Sequence, residues 1–236
     1  MTANLDPVFR NRGHEVSRLE AFSDVVFGFA LTILVVSLEA PRTSRELLHV
    51  MTGFIPFGFC FFVFLQMWYA HHTFFRRYGL QDLQTHIINA ALLFLVLAYV
   101  YPLKFLVSVW LGAFSGEVGL RESVQLEHVR TLFAIYGGGF AGVYALVALL
   151  YVHAYRQRET LALNAVELFD TRHSTIDNAG LAAIGLLSVI AAEVLPLRWV
   201  GASGYLYGLI GVWKWWYGTS STTRRRQLAQ SVVATT

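Results

Sequence analysis

Apolar residues fall in blocks of roughly 20, the length with which an α-helix crosses about 30 Å of hydrocarbon. The blocks cover residues 19–38, 50–73, 84–109, 131–155, 176–196 and 199–217, with polar and charged residues collected between them. This pattern predicts an all-α membrane protein with six transmembrane helices. The longer connections, 110–130 and 156–175, mix charges with Gly and Ser and have room for short surface helices only. Residues 1–217 therefore read as a single six-helix transmembrane domain, and 218–236 as a polar, basic C-terminal tail expected to be disordered. Thr175 and Asp177 are capping candidates ahead of the fifth block, Pro41 and Pro196 mark helix ends, and Pro56 and Pro102 predict kinks inside the second and third blocks. The long polar lead-in is unlike a signal peptide, so the first block is expected to be retained.

That first block starts with a contradiction. In "RLEAFSDVVFGFALTILVVSL", residues 18–38, Ser23 and Asp24 stand where the first turns enter lipid. An acid there is costly and faces protein or water rather than acyl chains. The uninterrupted apolar remainder is short for a helix that meets lipid alone, so this helix is expected to be central, surrounded by protein. At about 100° per residue, Val25, Phe29, Thr32 and Val36 fall at about 100°, 140°, 80° and 120° from Asp24 and form one stripe. Asp24 lies about 110° and Ser23 about 150° from the centre of that stripe, so the two faces cannot meet the same neighbour.

Composition agrees with a bilayer environment: 56% of residues are hydrophobic, 14% are charged, and the mean hydropathy is +0.51. With the N-terminus inside, the inner segments hold Arg10, Arg12, Arg18, Arg76, Arg77, Arg156, Arg158, Arg172, Arg224, Arg225 and Arg226. The outer segments hold only Arg42, Arg45, Arg121, Arg130 and Arg198. This asymmetry places both termini in the cytoplasm. The cluster Arg224 to Arg226 reads as a topology anchor or anionic-lipid contact, and no nucleic-acid partner is expected. A lone Cys60 excludes an internal disulfide and a thiolate metal site. Small-residue stripes, Gly137, Gly138, Gly139 and Gly142 in the fourth block and Gly201, Gly204, Gly208 and Gly211 in the sixth, predict close helix packing.

In this orientation the second block runs inward and carries Trp68, His71 and His72 to the level of Asp24, with Asn89 at a similar depth. An indole, imidazole or amide could satisfy the carboxylate without exposing it to lipid. His71 and His72 point about 100° apart, so only one is expected to reach it. Three readings follow: a polar staple that sets the register of three helices, a proton relay or pH-sensitive gate, and a zinc site. The last lacks the i, i+4 ligand spacing, since His14, His49, His86, His128, His153 and His173 are scattered. No metal or cofactor is expected, and without a nucleophile beside an aligned base, no enzyme.

Arg18, Phe22, Ser23 and Asp24 make up an R-x-x-x-F-S-D motif, and "WYAHH" spans Trp68 to His72. Both resemble segments of the transmembrane protein 175 family in its prokaryotic form, over residues 18–105. The resemblance implies a potassium-permeable cation channel, with helix one lining a central pore and no T-V-G-Y-G filter. A single copy of the motif resembles the single-unit members, which form homotetramers. The family's pore positions map onto Val25, Phe29 and Thr32, the stripe already found from helical geometry. Phe29 departs from the family's usual aliphatic residue, and Val25 from a common Gly.

On this reading Val25, Phe29 and Val36 repel water in an apolar throat, while Thr32 offers hydroxyl oxygens to a dehydrating potassium ion or other monovalent cation. The expected location is the inner (plasma) membrane, multi-pass in the lipid bilayer. The competing expectation is a proton-coupled carrier in which Asp24, His71 and His72 titrate during transport.

Overall fold

A computed structural model of the chain describes residues 9–36, 42–115 and 128–233. Pro41, Arg121 and most of the connection expected to hold a surface helix fall outside these residues, as do the side chains of Pro56, Arg198, Gly201, Arg224 and Arg226. Every regular element of the described chain is a helix: α1 (Arg18–Val36), α2 (Ser44–Tyr78), α3 (Leu83–Ser115), α4 (Val129–Arg156), α5 (Ala165–Val194), a 3-10 helix (Leu197–Gly208) and α6 (Leu209–Val233). Among the described residues four helices are long and apolar enough to cross a membrane, within Arg18–Val36, Leu83–Phe105, Arg130–Arg156 and Ala165–Val194. The second expected block lies inside α2, where Gln66, His71 and His72 dilute its apolar character.

Three expectations about element ends are corrected. The sixth block is not one α-helix: Leu197–Gly208 is a 3-10 helix, and the α-helix starts at Leu209. Glycines at 201, 204 and 208 give that stretch poor α-propensity, and Pro196 fixes its start. The tail expected to be disordered is helical as far as Val233, as the continuation of α6. Arg225 anchors it, with Nε donating to Asp170 Oδ1 at 2.8 Å and Nη2 to Asp170 Oδ2 at 2.9 Å. Thr175 and Asp177 do not cap α5, which begins ten residues before Thr175 at a capping box formed by Asn164 and Glu167. Asp177 instead accepts from Trp213 Nε1 at 3.2 Å and pairs with Lys214, tying α5 to α6. Hydropathy marks the part of a helix that meets lipid, whereas capping chemistry marks where the helix begins.

Helices α4 and α5 form the tightest pair. A Cβ on Gly137 would lie 2.9 Å from the Gly185 carbonyl oxygen, and one on Gly185 would lie 2.9 Å from that of Gly137. The absence of side chains at this crossing brings the backbones together, which is how helices gain packing where lipid supplies no hydrophobic drive. Gly139 and Gly142, on another face of α4, receive Tyr99 and Leu95 of α3. The glycines near the chain's end behave differently, for a Cβ on Gly208 or Gly211 meets nothing within 4 Å.

The N-terminal segment laces this bundle along one end. Phe9 is buried edge-on against Tyr78, at 5.8 Å between ring centroids. The backbone N–H groups of Arg12 and Gly13 donate to the carbonyls of Arg77 and Arg76. Gly79, with φ +60, ends α2 in the left-handed region, and a side chain there would press on the Arg12 carbonyl at 3.1 Å. Arg10 and Arg12 both reach the fully buried carboxylate of Glu167, their Nη2 atoms 3.0 and 2.9 Å from Oε2. At the same end, Asp82, between α2 and α3, faces His153 Nε2 of α4 at 2.9 Å. Partial burial alone would push the Asp82 carboxyl up, but hydrogen bonds from His153 and Thr85 outweigh it and hold the group at about 2. Its contribution to stability is therefore fully present at neutral pH, starts to fall as the pH drops below the ordinary carboxyl value of 3.8, and is gone once the pH has passed through about 2.

Candidate functional site: the two faces of helix one

Helix α1 presents one face to the protein and another outward. Glu20, Ser23, Val26, Phe27, Ala30 and Leu34 are buried, and their i, i+3, i+4 spacing makes them one continuous stripe against α2 and α3. On the other side Val25 is 55%, Phe29 62% and Val36 73% exposed, with Thr32 also exposed. Phe22, exposed as well, extends this outward stripe by one turn and takes no part in the polar contacts of the inner face. Positions 22, 25, 29, 32 and 36 alternate in steps of three and four, the spacing of a seam between supercoiled helices. Arg18 is exposed at the start of the same stripe. Thr32 donates its hydroxyl hydrogen to the Gly28 carbonyl at 2.9 Å, which leaves the oxygen lone pairs directed outward.

The polar residues of α1, α2 and α3 assemble, though not around a single carboxylate. Trp68 Nε1 donates to Asp24 Oδ1 at 2.8 Å. Neither histidine has a hydrogen bond to Asp24. His71, fully buried, meets Asn89 instead, Nε2 to Oδ1 at 2.8 Å, and the Asn89 amide donates to Ser23 Oγ at 3.0 Å. Ser23 passes its hydroxyl hydrogen to the Leu19 carbonyl at 2.8 Å. Because Asn89 spends its amide on Ser23, it offers His71 a carbonyl oxygen, so His71 carries a proton on Nε2. This chain joins all three helices: Ser23 on α1, Asn89 on α3 and His71 on α2.

His72 turns the other way, stacking on Trp68 at 5.1 Å with its Nδ1 3.6 Å from Glu20 Oε1. Glu20 is buried, and sequence reasoning missed it. A signal was present, since Glu20 lies one turn before Asp24 and so on the same side of the helix. Glu167 was missed too, although Asn164-x-x-Glu167 ahead of an apolar run is a capping-box pattern. Among the described residues no group of three or more His, Cys, Asp and Glu is placed to hold a metal ion.

Known proteins are similar to this chain in sequence and in fold. The family model for the endosomal/lysosomal potassium channel TMEM175 matches residues 18–102, which contain α1, α2 and most of α3. A protein of Marivirga tractuosa named as a potassium channel is 36% identical over 236 residues, covering 96% of each chain. A potassium channel of Chamaesiphon minutus is 27% identical over 159 residues, 64% of this chain and 71% of that one. The crystal structure of a threonine-to-alanine variant of the potassium channel MtTMEM175, in complex with a nanobody fusion protein, superposes with a TM-score of 0.81. It is 34% identical in sequence, and the match covers 93% of this chain and 99% of that one.

Proposed function

This chain belongs to the TMEM175 family, and from that premise we propose that it is a potassium-permeable cation channel, built from four copies whose α1 helices surround one axis. The observation that carries this reading is the outward stripe of α1. A subunit that buries Ser23 and turns Asp24 toward Trp68, yet leaves Val25, Phe29, Thr32 and Val36 exposed, has a prepared face with no partner inside the subunit. Fourfold convergence gives that face a role.

In such an assembly, rings of Val25, Phe29 and Val36 form an apolar constriction that empties of water when narrow and conducts when widened. Thr32 stands between two of those rings. Its hydroxyl hydrogen is held by Gly28, so an approaching cation meets lone pairs rather than a competing proton. No acid lies on the stripe, so discrimination between potassium and sodium is modest, and a T-V-G-Y-G filter plays no part. Six membrane spans in a single domain covering 1–217, both termini cytoplasmic, and residence in the plasma membrane complete the proposal. Arginines on the inner segments support the orientation.

The carrier reading is less well supported. It needs Asp24 and the histidines to exchange protons, whereas Asp24 bonds to Trp68, His71 to Asn89, and His72 faces Glu20. These contacts suit a polar staple that holds α1 in rotation, so that its stripe faces the axis. Asp24→Ala, which leaves the Trp68 indole N–H without its acceptor, is expected to cost about 1–3 kcal/mol. The outcome to read is a lower yield of tetramer on size exclusion in detergent. Normal assembly with an altered pH dependence of flux would favour the carrier instead.

Purified protein in liposomes is the direct test. Imposed potassium and sodium gradients, with pH varied independently, are expected to drive passive flux of both ions, potassium somewhat faster. Flux that saturates and requires a proton gradient would refute the channel.

A further inference from the structure

Between α2 and the α4–α5 pair lies a cleft of about 1230 Å³ that the pore reading does not use. One side is a single face of α2, running at helical spacing from Phe59 through Phe62, Gln66 and Thr73 to Arg77. From Phe59 to Arg77 this face is about 27 Å long, close to the thickness of the hydrocarbon core. The opposite wall carries Phe133 and Phe140 of α4. Gly208 and Gly211 also line the cleft, and their missing side chains leave open space. The lining is mostly apolar along its length, with the charged groups gathered at one end.

That end carries the charge. Arg77 sits in the last turn of α2, with Ser174, Asp177 and Lys214 also lining the cleft. Asp177 is already committed, pairing with Lys214 and accepting from Trp213. The Arg77 guanidinium lies over the Phe9 ring at 4.8 Å and has no carboxylate partner among the described residues. The cleft thus combines an apolar trough of membrane length with one surplus cation at its mouth. A guanidinium so placed matches the geometry of a phosphate diester.

We propose that this cleft binds an anionic phospholipid, with an acyl chain in the trough and the headgroup phosphate at Arg77. The aromatic rings exclude water from the tail, while Arg77 supplies the preference for a negatively charged headgroup. The site lies on the flank of the subunit, away from the stripe of α1, so it does not depend on the pore assignment.

The experiment uses the full chain in liposomes of phosphatidylcholine and phosphatidylglycerol in equal parts, followed by detergent extraction and mass spectrometry of the retained lipid. Retained phosphatidylglycerol is expected to exceed phosphatidylcholine about fivefold, the effect of one cation near a membrane surface. Arg77→Gln should abolish that preference, and Arg77→Lys should largely keep it, which separates charge from folding. Gly208→Leu puts a side chain into open space and should lower retention of both lipids while leaving thermal unfolding unchanged. Equal retention of the two lipids by the unmodified protein would overturn the proposal, as would an Arg77→Gln protein that keeps the preference. So would a Gly208→Leu protein with full lipid retention, or one that changes oligomeric state, since then another copy of the chain fills the cleft.

Discussion

Phe29→Ala is expected to raise passive potassium leak through the reconstituted protein about tenfold, equivalent to about 1.4 kcal/mol off the barrier. On the free subunit the Phe29 ring is 62% exposed, so its removal opens no cavity inside the fold and should leave subunit stability nearly unchanged. In the proposed tetramer four such rings surround one axis, and together they would define an apolar ring that water must wet before an ion can pass. Truncation to a methyl widens that ring and lowers its tendency to expel water. The measurement is potassium efflux from loaded liposomes, normalised to the amount of tetramer. Unchanged efflux from a normally assembled protein would mean that Phe29 meets lipid and that another face lines the path. Thr32→Ala should not reproduce the gain, since it leaves the Phe29 ring in place and removes an oxygen whose lone pairs face the passing cation.

The second large effect is expected far from the stripe. Glu167 accepts from Arg10, from Arg12 and from the backbone N–H groups of Arg10 and Asn164, with its side chain fully buried. Glu167→Ala removes a carboxylate that both guanidiniums share and breaks the capping box that starts α5. Removing one member of a buried pair commonly costs about 3–5 kcal/mol. Arg10 is 60% exposed and can regain water, so the lower end, about 3 kcal/mol, applies here. For a chain of this size that corresponds to a midpoint lower by about 6–12 °C in thermal unfolding. Glu167→Gln, which keeps the shape and one acceptor, should fall between. A shift within about 2 °C of the unmodified protein would show that the N-terminal segment adds little to the fold.

Near-regular spacing made the first helix legible. Its two faces follow from about 3.6 residues per turn, a local property that needs no knowledge of neighbours. The motif Arg18, Phe22, Ser23 and Asp24 and the segment Trp68 to His72 sufficed to place the chain in its family, because their residue types and spacing survive in the sequence whatever packs around them. Partner choice was not legible in the same way. Asp24 could have met an indole, an imidazole or an amide, and only the relative rotation of α1, α2 and α3 gives it to Trp68 while sending Asn89 to His71.

The sequence alone determined that this is a helical membrane protein and that its first helix has a polar face and an apolar stripe, since hydropathy and periodicity act over one or a few turns. The tertiary structure decided which glycines let helices touch, why Glu20 and Glu167 are buried, and how the N-terminal arginines lace the bundle. Those contacts join residues up to 157 positions apart, as Arg10 and Glu167 are. Interactions at such separations depend on how helices dock, and docking leaves no period in the chain.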